Sequence, residues 1–239
     1  MLDRLVVLIY PKHMNYSDIT KGLFLSRQNR FIAEVDIGGK IHTVHVKNTG
    51  RCRELFRKNA VVYLQRSNNP NRKTLYDLIA VYKGDTLVNV DSQIPNKAVR
   101  EWLEAGGLLP NPTLIKPEVR YGDSRLDFYI ENEEEKAFVE VKGVTLEKDG
   151  EALFPDAPTQ RGRRHLTELI KACENGYTAA VIFLVQMKGC RTFSPNAVTD
   201  PLFADELKRA AESGVRIIAL DCVVNPNSII ADKKIKVKL

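Results

Sequence analysis

Tryptophan occurs once, methionine three times and cysteine four times in this 239-residue chain. No apolar run approaches the roughly 20 residues that a membrane-spanning helix needs. These shortages exclude whole classes. Cys52, Cys173, Cys190 and Cys222 form no C-x-x-C pair, so zinc-finger spacing and a redox dithiol are both missing. Their wide, irregular spacing points to reduced thiols in a cytoplasmic protein. The four histidines are as scattered. His42 and His45 lie three apart in a strand-like segment, so they face opposite sides and make no ligand pair. The N-terminal M-L-D-R-L-V-V-L-I-Y-P puts an acidic residue before a short apolar stretch. It lacks the basic start and small-residue cleavage site of a signal peptide, and reads as a first strand. Internal repeats and low-complexity linkers are absent too.

Charge is present, and unevenly. The whole chain carries 36 Lys+Arg against 30 Asp+Glu, yet residues 1–85 hold 15 and 7 of them. The first third is therefore basic and the remainder slightly acidic. A small basic domain favours a polyanionic partner, most often nucleic acid, with solubility as the other use of the same charge.

Between residues 20 and 83 the chain reads as five short strands. K-G-L-F-L-S-R, R-F-I-A-E-V-D-I and K-I-H-T-V-H-V-K alternate or are β-rich, and Gly38-Gly39 is a two-residue hairpin signal. A-V-V-Y-L-Q-R and T-L-Y-D-L-I-A-V-Y follow, separated by the turn-rich S-N-N-P-N-R-K. That pattern suits an OB-fold, whose strand face and loops bind oligonucleotides, and equally an SH3-like barrel. Arg27, Arg30, Arg51, Arg53, Arg72 and Lys73 are candidate phosphate contacts, with Phe31 and Tyr76 as stacking surfaces. A solvated charged rim would look the same. From about residue 86 the order becomes helix, strands, helix, strand, helix, strand. We therefore expect an α/β domain with a mixed sheet over 86–239, behind a barrel domain over 1–85 (α+β overall).

The chemistry concentrates in F-V-E-V-K-G-V-T-L, residues 138–146. Period-2 alternation puts Glu140 and Lys142 on one strand face. Asp127 interrupts the preceding strand, S-R-L-D-F-Y-I, in the same way. Opposed residues of an antiparallel hairpin share an index sum, and Asp127 with Glu140 gives 267, which centres the turn inside E-N-E-E-E. Two carboxylates facing each other are destabilising unless a cation lies between them. Oxygen ligands so placed suit Mg²⁺ or Mn²⁺, with Lys142 positioned for an attacking water or a developing phosphorane charge. The bland alternative is a metal-free pair salt-bridged to Lys142 and Arg125. Downstream, F-P-D-A-P-T-Q-R-G-R-R-H-L opens a helix with Thr159 as N-cap. Gln160, Arg161, Arg164 and His165 crowd its first turns, where basic groups cradle phosphate, while Gly162 falls on the apolar side.

The D…E-x-K set on a hairpin resembles the PD-(D/E)XK nuclease superfamily. That resemblance implies metal-assisted phosphodiester hydrolysis, with Asp127 and Glu140 as metal ligands, Lys142 as catalytic lysine, and a further carboxylate on the preceding helix. Glu101 is preferred for that role over Glu104. Leu126 stands where the superfamily's usual Pro would be. More broadly, H-V-K-N-T-G-R-C-R-E-L, V-D-S-Q-I-P-N-K-A-V, G-D-S-R-L-D-F, V-E-V-K-G-V-T-L, the Thr159 stretch and F-S-P-N-A-V-T-D-P resemble the sugar fermentation stimulation protein A (SfsA) family nearly end to end. The resemblance implies an N-terminal OB-fold, a nuclease-like C-terminal domain and DNA binding. Cys52 replaces a commonly apolar residue of that family, and Arg164 a common Lys. The expectation is a cytoplasmic DNA-binding protein, with RNA also open, and a Mg²⁺ or Mn²⁺ phosphodiesterase site at Asp127, Glu140 and Lys142, assisted by Gln160 and His165. The alternatives are a regulator of sugar metabolism whose nuclease fold is idle, and a structured-RNA or nucleotide binder.

Overall fold

The structure, a computed structural model, describes residues 14–48 and 50–239; the expected first strand at the N-terminus and His13 lie outside them. Five strands build a barrel: β1 (Ile19–Arg27), β2 (Ile32–Ile37), β3 (Lys40–Val46), β4 (Val61–Arg66) and β5 (Tyr76–Lys83). They pair antiparallel in the order β3-β2-β1-β4-β5, and the parallel β3–β5 pairing closes the ring, which is the OB arrangement. Gly38 and Gly39 both take positive φ (62° and 83°) at the β2–β3 turn, as a type I′ hairpin requires. Strand β6 (Thr86–Asn89) extends the barrel sheet beside β5, so the expected boundary at residue 85 falls inside the β5–β6 hairpin.

Helix α1 (Ile94–Glu104) follows, then β7 (Leu114–Tyr121), β8 (Ser124–Glu131) and β9 (Lys136–Val144). Two short strands, β10 (Leu146–Lys148) and β11 (Glu151–Phe154), precede α2 (Gln160–Glu174). The remainder is β12 (Thr178–Val185), β13 (Thr192–Pro195), α3 (Pro201–Glu212), β14 (Arg216–Asn225), β15 (Ser228–Lys234) and β16 (Lys236–Val237). The main sheet runs β15-β14-β12-β9-β8-β7, with parallel pairing only at β9–β12 and β12–β14. A small sheet, β10-β11-β13-β16, flanks it.

The central strands are apolar on both faces because helices cover both. On one face Val139, Val141, Ile182 and Leu184 meet Ile94, Ala98, Val99 and Leu103 of α1. On the other, Val181 and Phe183 meet Leu166, Leu169 and Ile170 of α2 and Phe203 and Leu207 of α3. Gly162 is buried; a Cβ there would approach Phe203 at 3.2 Å, so the glycine allows α2 and α3 to close together.

One carboxylate fixes both helices. Asp200, 3 % exposed, caps α3 by accepting from the Phe203 N–H at 3.0 Å. It also accepts from the Thr159 N–H (2.8 Å) and from Arg163 (3.2 Å). Thr159 in turn caps α2, its hydroxyl accepting from the Gly162 N–H at 3.0 Å. Asp200→Ala removes a cap and leaves a buried N–H and a guanidinium without their acceptor. We expect a loss of about 3 kcal/mol in urea unfolding; a change under about 0.5 kcal/mol, the scale of a neutral surface substitution, would mean that Asp200 does not anchor the two helices.

Candidate functional site

Strand β9 carries Glu140 on the α2 face of the sheet, beside Val181 of β12. The carboxylate is 3 % exposed. A bare charge there is prohibitive, and three side chains answer it. Lys142, two residues on and so on the same face, donates to Oε1 at 2.5 Å. The His165 ring of α2 sets Nδ1 against the same oxygen. Arg161, one turn earlier on α2, donates through Nε to His165 Nε2 at 3.3 Å. With Nε2 accepting, the ring proton falls to Nδ1, the nitrogen that lies against Glu140. The second oxygen, Oε2, is buried and accepts no hydrogen bond among the described residues.

Asp127 approaches from β8. The observed pairs Phe128–Val139, Tyr129–Phe138 and Ile130–Ala137 all sum to 267, the register in which Asp127 and Glu140 are neighbours. The ladder stops short of them. Asp127 instead accepts the Val141 N–H through Oδ2 (2.7 Å) and the Asn96 side chain through Oδ1 (2.7 Å). The strand's alternation also breaks here: Leu126 packs in the α2-side core and Phe128 in the α1-side core, though two residues apart should share a face.

The two carboxyls titrate oppositely. Burial and the neighbouring Glu140 charge raise Asp127, against its hydrogen bonds from Val141 and Asn96. Burial also pushes Glu140 upward, but His165 and Lys142 outweigh it and hold the group below the usual carboxylate range. Glu140 is therefore the fixed anion and Asp127 the reluctant one.

Among the described residues no three His, Cys, Asp or Glu side chains cluster as a metal site. Two carboxylates with one unengaged oxygen do fit a hard divalent cation that keeps waters and takes further ligands from phosphate. Helix α1 meets Asp127 through Asn96, which the sequence reading passed over. Glu101 is half-buried five residues further on, about 140° around the helix from Asn96. Glu104 is exposed and pairs with Arg100 at 2.7 Å. Arg125 turns to Glu118 (3.4 Å) and so does not join the acidic pair. Gln160 and Arg164 are exposed on the first turns of α2.

On the barrel, Arg27, Arg30, Arg51 and Arg53 line one cleft of about 830 Å³, whose far side is Asp156 and Ala157 in the loop before α2. Arg27 is a brace within it. It donates to the carbonyls of Arg30, Asn48, Gly50 and Arg51 and stacks over Phe56, 4.8 Å from the ring centroid. Arg30, Arg51 and Arg53 are exposed, and Phe31 is 49 % exposed beside them. Arg72 forks Asp77 at 2.8 and 2.6 Å. His45 and Lys47 join the same carboxylate, at 2.9 and 3.5 Å. Neither Arg72 nor its exposed neighbour Lys73 lines the cleft. Tyr76 packs edge-on against His42.

Residues 25–90 match the family model described as the SfsA N-terminal OB domain, and residues 93–228 the model described as the sugar fermentation stimulation protein RE domain. A sugar fermentation stimulation protein homolog of Ruminiclostridium cellulolyticum is 52 % identical over 226 residues, covering 95 % of this chain and 100 % of the relative. One from Clostridium beijerinckii is 54 % identical over 216 residues, covering 90 % and 96 %. A solved structure of Pyrococcus furiosus SfsA in complex with Ca2+ superposes with a TM-score of 0.86 at 33 % identity, covering 96 % of this chain and all of that one. No helix among the described residues is long and apolar enough to cross a membrane.

A carboxyl whose pKa is raised on folding favours the folded state below its unfolded pKa, and that contribution is lost as pH rises through the folded pKa. Asp127→Asn should therefore unfold at higher urea than the parent protein at pH 7, with the gain vanishing as pH falls into the carboxylate range. An equal midpoint at pH 7 would contradict the raised Asp127 titration. For Arg27, even Arg27→Lys gives up the fork that spans four carbonyls, so we expect a lower melting temperature from thermal unfolding of that variant.

Proposed function

Taking as premise that the chain belongs to the sugar fermentation stimulation protein family, we propose that it binds nucleic acid along its basic barrel cleft. We further propose that it hydrolyses phosphodiesters at Asp127, Glu140 and Lys142 with the help of Mg²⁺ or Mn²⁺. The observation that carries this reading is Glu140 Oε2, a buried carboxylate oxygen with no hydrogen-bond donor among the described residues, on a group that binds Lys142 through its other oxygen and raises Asp127 by its charge. A buried unsatisfied anion is expensive to maintain, and a cation ligated there answers it.

A bound divalent cation would supply charge for the phosphate oxygens and a more acidic water. The chain's own groups do the rest. Asp127 and Glu140 present the ligand oxygens. His165, braced by Arg161, keeps Glu140 in one rotamer. Lys142 stands where it orients the attacking water and offsets the negative charge that builds as the new P–O bond forms and the old one breaks. Exposed Gln160, Arg161 and Arg164 at the start of α2 meet phosphates beside the one being cut. Arg30, Arg51 and Arg53 hold the backbone further along, and Phe31 offers a face for a base.

One observation favours a second reading. Lys142 and His165 already close on Glu140 Oε1, so the cluster is partly self-neutralised without metal. On that reading the protein is a DNA-binding regulator with an idle nuclease fold.

The test is cleavage of labelled single- and double-stranded DNA and RNA with Mn²⁺ or Mg²⁺, beside Asp127→Ala, Glu140→Gln and Lys142→Ala. We expect each variant to lose about 10²-fold or more in rate, as removal of a charge-stabilising group does. Binding to the same oligonucleotides should persist and weaken steeply with salt. Firm binding with no cleavage of any substrate would transfer the assignment to the regulator.

A further inference from the structure

A second, smaller cleft opens where the carboxyl ends of β9 and β12 meet the barrel. Its volume is about 200 Å³, and its walls include Asn48, Gly143, Thr145, Leu153, Phe154 and Gln186. We infer that this cleft takes one unstacked nucleobase of the strand being cut, so that the substrate is single-stranded nucleic acid or a frayed end. The inference rests on the phosphodiesterase reading above and names the substrate class of that same site.

Position is the first argument. Gly143 follows Lys142, and Pro95, another wall residue, precedes Asn96, which holds Asp127. Crevices beyond the carboxyl ends of strands are where open α/β sheets receive ligands. Size is the second. The cleft is smaller than the roughly 300–1,000 Å³ typical of drug-sized sites. It suits a single ring system, and a paired base would have to leave its stack to enter.

Polarity is the third. Gln186 is 2 % exposed, and its amide NH₂ is fixed by the Asn89 carbonyl (3.2 Å), Asn89 Oδ1 (3.0 Å) and the Asp91 carbonyl (3.2 Å). Those three acceptors turn its Oε1 toward Gly143, where it accepts no hydrogen bond among the described residues; a Cβ on Gly143 would meet it at 2.5 Å. A fixed acceptor over a glycine, with the Thr145 hydroxyl near and Leu153 and Phe154 as apolar wall, is a reader for a base N–H. The fourth argument is continuity. Gly50 and Asp156 line both this cleft and the arginine cleft. Asp156, accepting the Arg51 N–H at 3.3 Å, sets a carboxylate at the shared rim. That charge keeps phosphates on the arginine side and leaves the inner cleft to the neutral base.

The test compares 5′-mononucleotides with ribose 5-phosphate by calorimetry on the full chain. We expect the nucleotides to bind about tenfold tighter or better, the scale of one recognised base, and Leu153→Trp, which fills the cleft from outside the core clusters, to erase that difference. Circular dichroism checks folding, and Thr145→Tyr is the second filling variant. Equal binding of nucleotide and ribose 5-phosphate, or a preference that survives both folded variants, overturns the inference. Hydrolysis of bis(p-nitrophenyl) phosphate with Mn²⁺, which needs no base, reports on the phosphodiesterase reading separately. Hydrolysis without base preference sinks the cleft and spares the site; base preference erased by filling, without hydrolysis, spares the cleft and sinks the site.

Discussion

A carboxylate held charged in the middle of a sheet sets the terms for everything around it. Removing Glu140 from water carries a penalty on the order of several kcal/mol. The penalty is met on one oxygen, where Lys142 and His165 converge, and left unmet on the other. Meeting it requires α2 to lie across β9 at one height. That height is set at the helix start, where Thr159 and Asp200 lock the first turn of α2 to the first turn of α3. Gly162 lets the two helices close, and His165 then arrives over Glu140 one turn after Arg161. The capping residues thus belong to the chain of causes that sets His165 against Glu140.

The same logic joins the barrel to the sheet. Gln186 at the end of β12 donates to Asn89 and Asp91, which follow the barrel, and the Asn89 N–H returns a bond to the Gln186 carbonyl at 2.9 Å. Lys83 of the barrel reaches Glu147 at 2.5 Å. Asp91 is itself buried and accepts from Tyr16 and Lys47 at 3.4 and 3.3 Å. A buried polar seam is stable only when its members are satisfied together. It therefore sets the barrel in one orientation, and the arginine cleft opens against the loop that leads into α2.

What was legible in the sequence followed local rules. The 267 register came from two acids and a polar turn, and the observed pairs share it. Thr159 as N-cap, Gly162 on the packed side and Gly38-Gly39 at a hairpin are each a residue type meeting a backbone need. What stayed hidden were the partners of the charges that the sequence counts. Arg27 and Arg72 looked like phosphate contacts, yet one is absorbed by four carbonyls and the other by Asp77. A basic residue's partner lies across the fold, and composition cannot supply it. Asn96 was passed over because a neutral amide near a helix start carries no charge signal, although it holds Asp127. The Asp200-Pro201 cap was passed over as well, although a capping residue followed by proline is a local start signal for a helix. The small sheet β10-β11-β13-β16 joins segments of two to four residues from distant parts of the chain, too short for periodicity to show.

The break in β8 connects these levels. An ordinary strand would continue its ladder past Phe128 and bury or expose Asp127 by alternation alone. Here the ladder ends, Leu126 and Phe128 go to opposite cores, and the Asp127 carboxylate takes the Val141 N–H that β8's own backbone would otherwise serve. A side chain doing backbone work holds its carboxyl group rigidly beside Glu140. It also keeps two acids adjacent where a neutral residue would pack more favourably. Proteins retain that kind of local conflict at sites used for chemistry, since selection for stability alone would remove it. The opposed titration of the two acids is the electrostatic trace of that conflict, one anion stabilised by His165 and Lys142 and its neighbour pushed toward protonation.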